Sequence, residues 1–212
     1  MKRTFVHPLI SVLKRAIDLF GASLGLLLTL LLLPFIALAI KLESPGPVLF
    51  KQLRIGRSWP DHVELFGMLK FRSMRQDAER GSGPVWAQRN DPRITRVGRF
   101  LRKTRLDELP QFINVLRGEM SLIGPRPERP GITRRLEHEI PFFIERTYGV
   151  APGITGLAQV CNGYDESLDD VRAKLNYDLA YSLCLSRPLS WLLMEARIVW
   201  LTLQVMVCGR GR

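Results

Sequence analysis

The sequence predicts a mainly helical α+β fold in three parts: an N-terminal re-entrant membrane helix hairpin broken at Pro34 (residues 1–45), a small α/β core, catalytic or binding (46–187), and a C-terminal apolar, interfacial helix (188–212). Three observations predict it. An uncharged apolar run near the N-terminus is interrupted by a proline; the middle of the chain alternates strand-period and helix-period segments; and a second apolar stretch at the end carries charges at its centre. At 212 residues the chain is long enough for one compact domain with appended helices and short for two.

The first element runs from Leu19 to Ile40, LFGASLGLLLTLLLLPFIALAI. About 20 apolar residues suffice to cross a bilayer core. Pro34, however, deletes a backbone hydrogen bond and clashes with the carbonyl four residues back, at a cost of about 3 kcal/mol if unrelieved. The pieces on either side, Leu19 to Leu33 and Phe35 to Ile40, are each too short to span. Cationic flanks stay cytoplasmic, and here Lys2, Arg3, Lys14 and Arg15 precede the run while Lys41, Lys51, Arg54 and Arg57 follow it. A helix that enters one leaflet, bends at Pro34 and returns satisfies both flanks; a kinked single span is the alternative. The run is too long for a cleaved signal peptide, and no small-x-small cleavage pattern follows it.

Past the SPGP turn signal at Ser44 to Pro47, VLFKQLRIG and VELFGMLKFRSM (Val63 to Met74) are rich in strand formers and predict a short hairpin. Arg75 to Asp91, with Gly81, Gly83 and Pro84, reads as a long loop able to close over a ligand. RITRVGRFLRKT, Arg93 to Thr104, places Ile94, Val97 and Leu101 at helical spacing, with Arg93, Arg96, Arg99, Lys103 and the adjoining Arg102 collecting the cations. A further helix is expected through Leu109, Ile113 and Leu116 to a stop at Gly118. Two starts fit it: Thr104, three residues before Asp107 as in a capping box, or Asp107 itself as the N-cap. The last stretch, Pro188 to Cys208, carries Glu195 and Arg197 near its middle and tryptophans at 191 and 200, a pattern of helices in the headgroup zone; a core helix of the soluble part fits nearly as well.

Charge narrows the partner. Lys plus Arg number 31 against 20 Asp plus Glu, a formal net charge of +11, so the partner is anionic: nucleic acid, acidic lipid or a phosphorylated small molecule. Three separated cysteines and three solitary histidines suggest neither a disulfide framework nor a zinc site, and fit a reducing compartment. Within this basic chain LDELPQ, Leu106 to Gln111, sets two carboxylates side by side among Arg102, Lys103, Arg105, Arg117 and Arg126. Read blandly, an acidic pair at a helix start compensates the helix dipole. Read as chemistry, one carboxylate can attack phosphorus while its neighbour holds a divalent cation. Gly124-Pro125-Arg126-Pro127 then adds a rigid turn that presents a guanidinium suited to bidentate phosphate contact.

KFRSM (Lys70 to Met74), LDELPQFINVLRGEMSLIGPRP (Leu106 to Pro127) and PGITGLAQV (Pro152 to Val160), in that order behind a proline-broken hydrophobic segment, closely resemble the bacterial sugar transferases, the small monotopic polyprenyl-phosphate phosphoglycosyl transferases. The resemblance spans about Lys14 to Tyr181. It implies transfer of a sugar 1-phosphate from a UDP-sugar to undecaprenyl phosphate with release of UMP, on the cytoplasmic face of the bacterial inner membrane, as the first step of capsule, exopolysaccharide or O-antigen assembly. It implies Mg2+ and a covalent intermediate, with Asp107 as nucleophile, Glu108 as metal ligand, and Arg126, Arg102 and Lys70 holding phosphate. Pro34 corresponds to the family's helix-breaking proline, although Leu33 stands where the family often has a serine. Without the extra membrane helices and further domain of some relatives, the chain is expected to be the minimal form. Membrane lipid is the expected surroundings and a homo-oligomer stays open. No nucleic-acid module is recognisable, so the rival reading is a non-enzymatic basic membrane protein that binds anionic lipid or nucleic acid through Arg93 to Arg105. The sugar is not legible, though Arg75 to Asp91 and Asn162 to Asp165 are candidate specificity segments.

Overall fold

A computed structural model describes residues 5–76, 78, 91–162 and 167–207. Helix α1 runs unbroken from Pro8 to Glu43. Pro8 sits in its first turn, where a missing N–H costs nothing, and the His7 side chain caps the Leu9 N–H. The backbone stays helical through Pro34, so the proline does not divide the element into two helices. Nor does Thr29 serve the carbonyl that Pro34 leaves free at Leu30: its hydroxyl donates to Gly25 O instead, at 2.7 Å.

What α1 does along its length is lie on the rest of the protein. Near its start, His7 N–H donates to Leu185 O and Ile10 is fully buried against Tyr181, Leu185, Trp191 and Ile198. In the middle, Gly21, Ala22 and Gly25 form a flat stripe; a Cβ on Gly25 would stand 2.4 Å from the Phe112 ring. At the end, Ile36 and Ile40 pack on Phe71 and Leu101. The opposite face, including Phe20, Leu27, Leu31, Phe35, Leu38 and Leu42, is exposed and predominantly apolar. Apolar side chains in that number on one face are stable in hydrocarbon and not in water.

The charges on the N-terminal flank of the apolar run are bonded within the fold. Arg15 donates to the carbonyls of Val115 and Leu116 at 2.7 and 2.8 Å, Asp18 accepts from Ser121 Oγ and Leu122 N–H, and Lys14 pairs with Glu195 at 2.9 Å. Their place in the sequence therefore reflects packing as much as membrane sidedness.

Strands β1 (Leu49–Ser58) and β2 (Val63–Phe71) form the expected antiparallel hairpin, with Phe50 opposite Lys70 and Arg54 opposite Phe66. Helix α2 follows, Arg96–Lys103, capped by Thr95. A single 3-10 turn, Leu106–Glu108, leads to the short helix α3, Gln111–Leu116, with Pro110 as its N-cap. Neither expected helix start is used. The Thr104 hydroxyl donates back to the carbonyls of Phe100 and Leu101, closing α2, and Arg105 takes a left-handed conformation at φ 59° that turns the chain. Asp107 and Glu108 thus sit one turn ahead of α3, not inside a long helix.

The remaining elements are β3 (Ser121–Ile123), α4 (Pro130–Glu139), a 3-10 turn at Phe143–Thr147, β4 (Gly153–Thr155), α5 (Leu157–Cys161), α6 (Leu168–Cys184) and α7 (Pro188–Val207). Strands β3 and β4 pair in parallel, which sets GPRP beside PGITG. Helix α7 has one side in the core, with Trp191 and Ile198 buried, while Leu189, Leu192, Leu193, Trp200, Leu203 and Met206 on its other side are exposed. Trp191 is therefore a core residue and no headgroup anchor. Glu195 is likewise turned inward, accepting from Lys14 Nζ and, at 2.8 Å, Tyr181 Oη. The loop expected from Arg75 to Asp91 lies largely outside the described residues, as does most of Asn162 to Asp165.

Candidate active site

Four elements converge on the carboxylate pair. The 3-10 turn carries Asp107 and Glu108, both buried. Strand β2 brings Lys70, whose Nζ lies 3.2 Å from Glu108 Oε1. The turn after β3 brings Arg126, whose Nη2 lies 2.9 Å from the same oxygen. Helix α2 brings Arg102, held through its Nε by Ser73 Oγ at 2.9 Å. All five residues singled out from the sequence thus belong to one neighbourhood. Lys70 and Arg126 touch Glu108 directly, whereas Arg102 acts on Asp107 through its field.

The two neighbouring acids are in opposite electrostatic states. Burial alone would raise the Glu108 pKa, but Arg126, Lys70 and Arg105 outweigh it and hold the carboxyl well below its ordinary range. Burial raises Asp107 and the Glu108 charge raises it further, against the pull of Lys70, Arg102 and Arg105. Asp107 accepts no hydrogen bond from any described residue, and Glu108 uses Oε1 for both of its cations. For Lys70, burial with help from Arg126 outweighs the attraction of Glu108 and lowers its pKa. One acid is therefore clamped and the other is left ungripped, its anionic form poorly stabilised.

The backbone beside this pair is equally specific. Gly124 N–H donates to Thr155 O and Gly153 N–H to Pro125 O, so the GPRP turn and the PGITG loop are laced together. Side chains would keep them apart: a Cβ on Gly153 would stand 2.1 Å from Gly124 N, and one on Gly156 2.1 Å from Gly124 O. A guanidinium beside an acidic pair, on a loop fixed by glycines, is the arrangement that the sequence motifs anticipate. A family model described as bacterial sugar transferase matches residues 9–209.

The chain belongs to the bacterial sugar transferase family. It is 44% identical over 204 residues to the UDP-N-acetylgalactosamine-undecaprenyl-phosphate N-acetylgalactosaminephosphotransferase of Aeromonas hydrophila, a match that covers 96% of this chain and 46% of that protein. It is 45% identical over 175 residues to an exopolysaccharide production protein of Rhizobium leguminosarum, covering 80% of this chain and 85% of that one. The UDP-glucose:undecaprenyl-phosphate glucose-1-phosphate transferase of Escherichia coli is 45% identical over 172 residues, 80% of this chain and 36% of its own length. The chain thus spans less than half of the Aeromonas and Escherichia relatives.

Behind the site of this family member lies a buried layer that the sequence did not reveal. Every carbonyl of Arg126-Pro127-Glu128 is engaged: Arg126 O by Arg146, Pro127 O by Arg54 Nη1 at 3.0 Å, and Glu128 O by Ile55 N–H. Arg146 in turn pairs with Asp178, both buried. Arg146 and Arg54 thereby offset the carbonyl dipoles of Arg126 and Pro127. Asn114 performs a similar task for β2, accepting from Leu69 N–H and donating to Gly67 O. None of these has a local signature, because each partner is far away in the chain.

The Glu128 carboxylate, bound by Lys174 at 3.0 Å and Arg54 at 3.6 Å, yields a pH prediction. Burial would raise its pKa, and Lys174, Arg146 and Arg54 bring it down instead, from 4.5 to about 2. A carboxyl depressed in the fold stabilises it above the unfolded pKa and loses that contribution as protons bind. The expected contribution is about 3 kcal/mol at neutral pH. It is lost as pH falls from about 4.5 toward 2. Denaturant unfolding of wild type and Glu128→Gln measures it: the two should differ at pH 6 and converge near pH 2, and a gap independent of pH would contradict the assignment.

Proposed function

We propose that this protein transfers a sugar 1-phosphate from a UDP-sugar to undecaprenyl phosphate, releasing UMP, at the cytoplasmic face of the bacterial inner membrane. The observation that carries the reading is the pair of adjacent buried acids in opposite states, Glu108 clamped by Lys70 and Arg126 and Asp107 ungripped. Family membership over 9–209 and relatives named as undecaprenyl-phosphate sugar phosphotransferases support it.

In the proposed mechanism an Asp107 oxygen attacks the β-phosphorus of the UDP-sugar. The new O–P bond forms as the bridging P–O bond breaks, and UMP departs with the electron pair. A phosphate oxygen of the acceptor lipid then attacks the same phosphorus and regenerates the Asp107 carboxylate. The sugar's anomeric bond is untouched. Arg126, Arg102 and Lys70 orient and neutralise the phosphates, which is most of what phosphoryl transfer requires. Their positive field also makes the approach of an anionic nucleophile to an anionic substrate affordable.

Magnesium fits the donor set. Glu108 Oε2 and both Asp107 oxygens accept no hydrogen bond from a described residue, and hard oxygens of this kind suit the ion. Among the described residues no cluster of three metal-binding side chains exists, so the rest of its coordination would come from substrate phosphate and water, as is usual for this ion. Bound there, magnesium would shield phosphate charge.

The embedding we propose is monotopic, supported by the way α1 rests on the core at His7, Ala22, Ile40 and Glu43 alike. A 36-residue helix extends ~54 Å, and a helix standing across the bilayer could not keep its two ends and its middle on one cytoplasmic body. Phe5→Cys and Asp61→Cys, in a chain otherwise freed of cysteine, are expected to label from the same side of sealed vesicles. Labelling from opposite sides would favour the kinked span.

The deciding experiment is UMP release by the purified chain, with magnesium and before any polyprenyl phosphate is added, across a panel of UDP-sugars. The panel includes glucose and N-acetylgalactosamine donors, the two sugars named among the relatives. Failure to release UMP from every donor would overturn the reading.

A further inference from the structure

Helix α2 presents a charged face that the proposed chemistry does not use. At about 100° per residue, Arg99, Lys103, Arg96 and Phe100 fall within an arc of about 100°. All four are exposed, Phe100 at 60%. No described carboxylate pairs with Arg99 or Lys103. On the reverse side Val97 and Leu101 pack against Ile36 and Ile40 of α1. The helix is fixed end-on as well: the Glu43 carboxylate, on the last residue of α1, accepts from Arg96 N–H at 2.6 Å and Val97 N–H at 2.8 Å. Gly98 rests on Ser73 O, where a Cβ would stand only 2.0 Å away.

These contacts settle the height of α2. The helix is bolted to the last turns of α1, whose free side exposes Leu31, Phe35, Leu38 and Leu42, the face that the proposed monotopic embedding turns to the hydrocarbon. Phe100 borders the Val97 side of α2, the side packed on α1, while Arg96, Lys103 and Arg99 fan away from it. That order, an aromatic at one margin and long cationic side chains beyond, is the pattern of a helix lying among headgroups. Arg102 follows at the far margin, next to Arg99 on the wheel, and its field reaches Asp107.

We infer that the exposed face of α2 is the docking surface for the acceptor lipid: Arg99 and Lys103 take its phosphate from the plane of the membrane, beside Phe100 in the acyl boundary, and deliver it to Arg102 at the edge of the site. The occupant is a lipid phosphomonoester. A soluble anion would need no aromatic at the hydrocarbon margin and no attachment of the cationic face to the membrane helix. This inference rests on the transferase reading above and specifies how its second substrate arrives.

The test uses the whole chain in nanodiscs of zwitterionic lipid with a graded mole fraction of polyprenyl phosphate. A basic residue at a charged lipid surface changes binding about fivefold, so Arg99→Gln/Lys103→Gln should raise KM for polyprenyl phosphate about 25-fold. Phe100→Ser should raise it too, and Arg99→Lys should restore it. Acceptor-independent UMP release by the same variants should stay within about twofold of wild type, showing that fold and donor site are intact. Added salt should raise the wild-type KM and hardly move that of the double variant. Inhibition by inorganic phosphate should be equal in both; a parallel 25-fold loss would mean that the face reads free phosphate, and would overturn the lipid assignment. An unchanged lipid KM, with UMP still released, would overturn the inference and leave the transferase reading standing. Absence of UMP release in wild type would remove both.

Discussion

Asp107→Asn is expected to abolish UMP release, by at least about a thousandfold, in a protein that unfolds no more easily than wild type. The first half follows from the role proposed for the carboxylate, since an amide cannot form the ester to phosphorus and residues that act as a covalent unit are not replaced by their neighbours. The second half follows from its surroundings. Asp107 accepts no hydrogen bond from a described residue, so the substitution breaks no network. Its pKa is raised by burial and by Glu108, which means that the ionised form is less favourable in the fold than in the unfolded chain. At neutral pH the charge therefore works against folding, and removing it relieves the fold. Intact-mass spectrometry of active wild type incubated with donor should show a glycosyl-phosphate adduct that the variant lacks. The acid limb of the half-reaction should lie above the ordinary Asp value of 3.8, because Asp107 must be ionised to attack. Retained turnover in Asp107→Asn would sink the mechanism, and marked destabilisation would show that the side chain was structural.

The contrast between Asp107 and its supporting layer explains which parts of the protein were legible. Glu108 and Arg126 lie on motifs whose composition is unusual over a few residues, an acidic pair and a Gly-Pro-Arg-Pro turn, so each could be named before any contact was known, whereas Lys70 was named only through the resemblance of KFRSM to the family. The hairpin followed from β-branched and aromatic alternation, and the apolar run of α1 from its length. The end of α2 did not, for a physical reason: the left-handed position after a helix is normally marked by glycine, and here Arg105 occupies it, so the chain reads as if it continued toward a capping box. That same unmarked turn places Asp107 and Glu108 in the site, and a non-glycine held there is the kind of local strain that functional sites retain. Lys14, Arg15 and Asp18 have packing roles that were hidden in another way. Charges beside an apolar run read as membrane flanks, whereas their partners Glu195, Val115 and Ser121 stand about a hundred residues or more further along the chain. Pairings across that distance leave no periodicity in the sequence.

Distance in the chain also governs the second large effect, Gly153→Ala. The residue touches neither carboxylate and carries no charge, yet it is expected to lower kcat about a hundredfold with Asp107, Glu108, Lys70 and Arg126 all present. An added Cβ would stand 2.1 Å from Gly124 N, 2.4 Å from Thr155 O and 2.7 Å from Gly124 Cα. These are backbone atoms that cannot rotate aside, so the two loops must separate by on the order of 1 Å to regain ordinary contact. Separation breaks the Gly153 N–H bond to Pro125 O and carries Arg126 away from Glu108, since Arg126 follows Pro125 directly. Overpacking of this kind costs about 1–3 kcal/mol of stability, which leaves most of the protein folded. A displacement of about 1 Å in a positioning group costs about a hundredfold in rate. The expected signature is a modest fall in Tm beside a large fall in kcat, with the donor half-reaction affected as strongly as the complete one because Arg126 serves both. Ser121, paired with Gly153 across the strands, offers a control: Ser121→Ala removes the hydroxyl that binds Asp18 without adding bulk, and should cost stability while sparing kcat. If Gly153→Ala kept its kcat, the close approach of the two loops would have no part in holding Arg126 over the acidic pair.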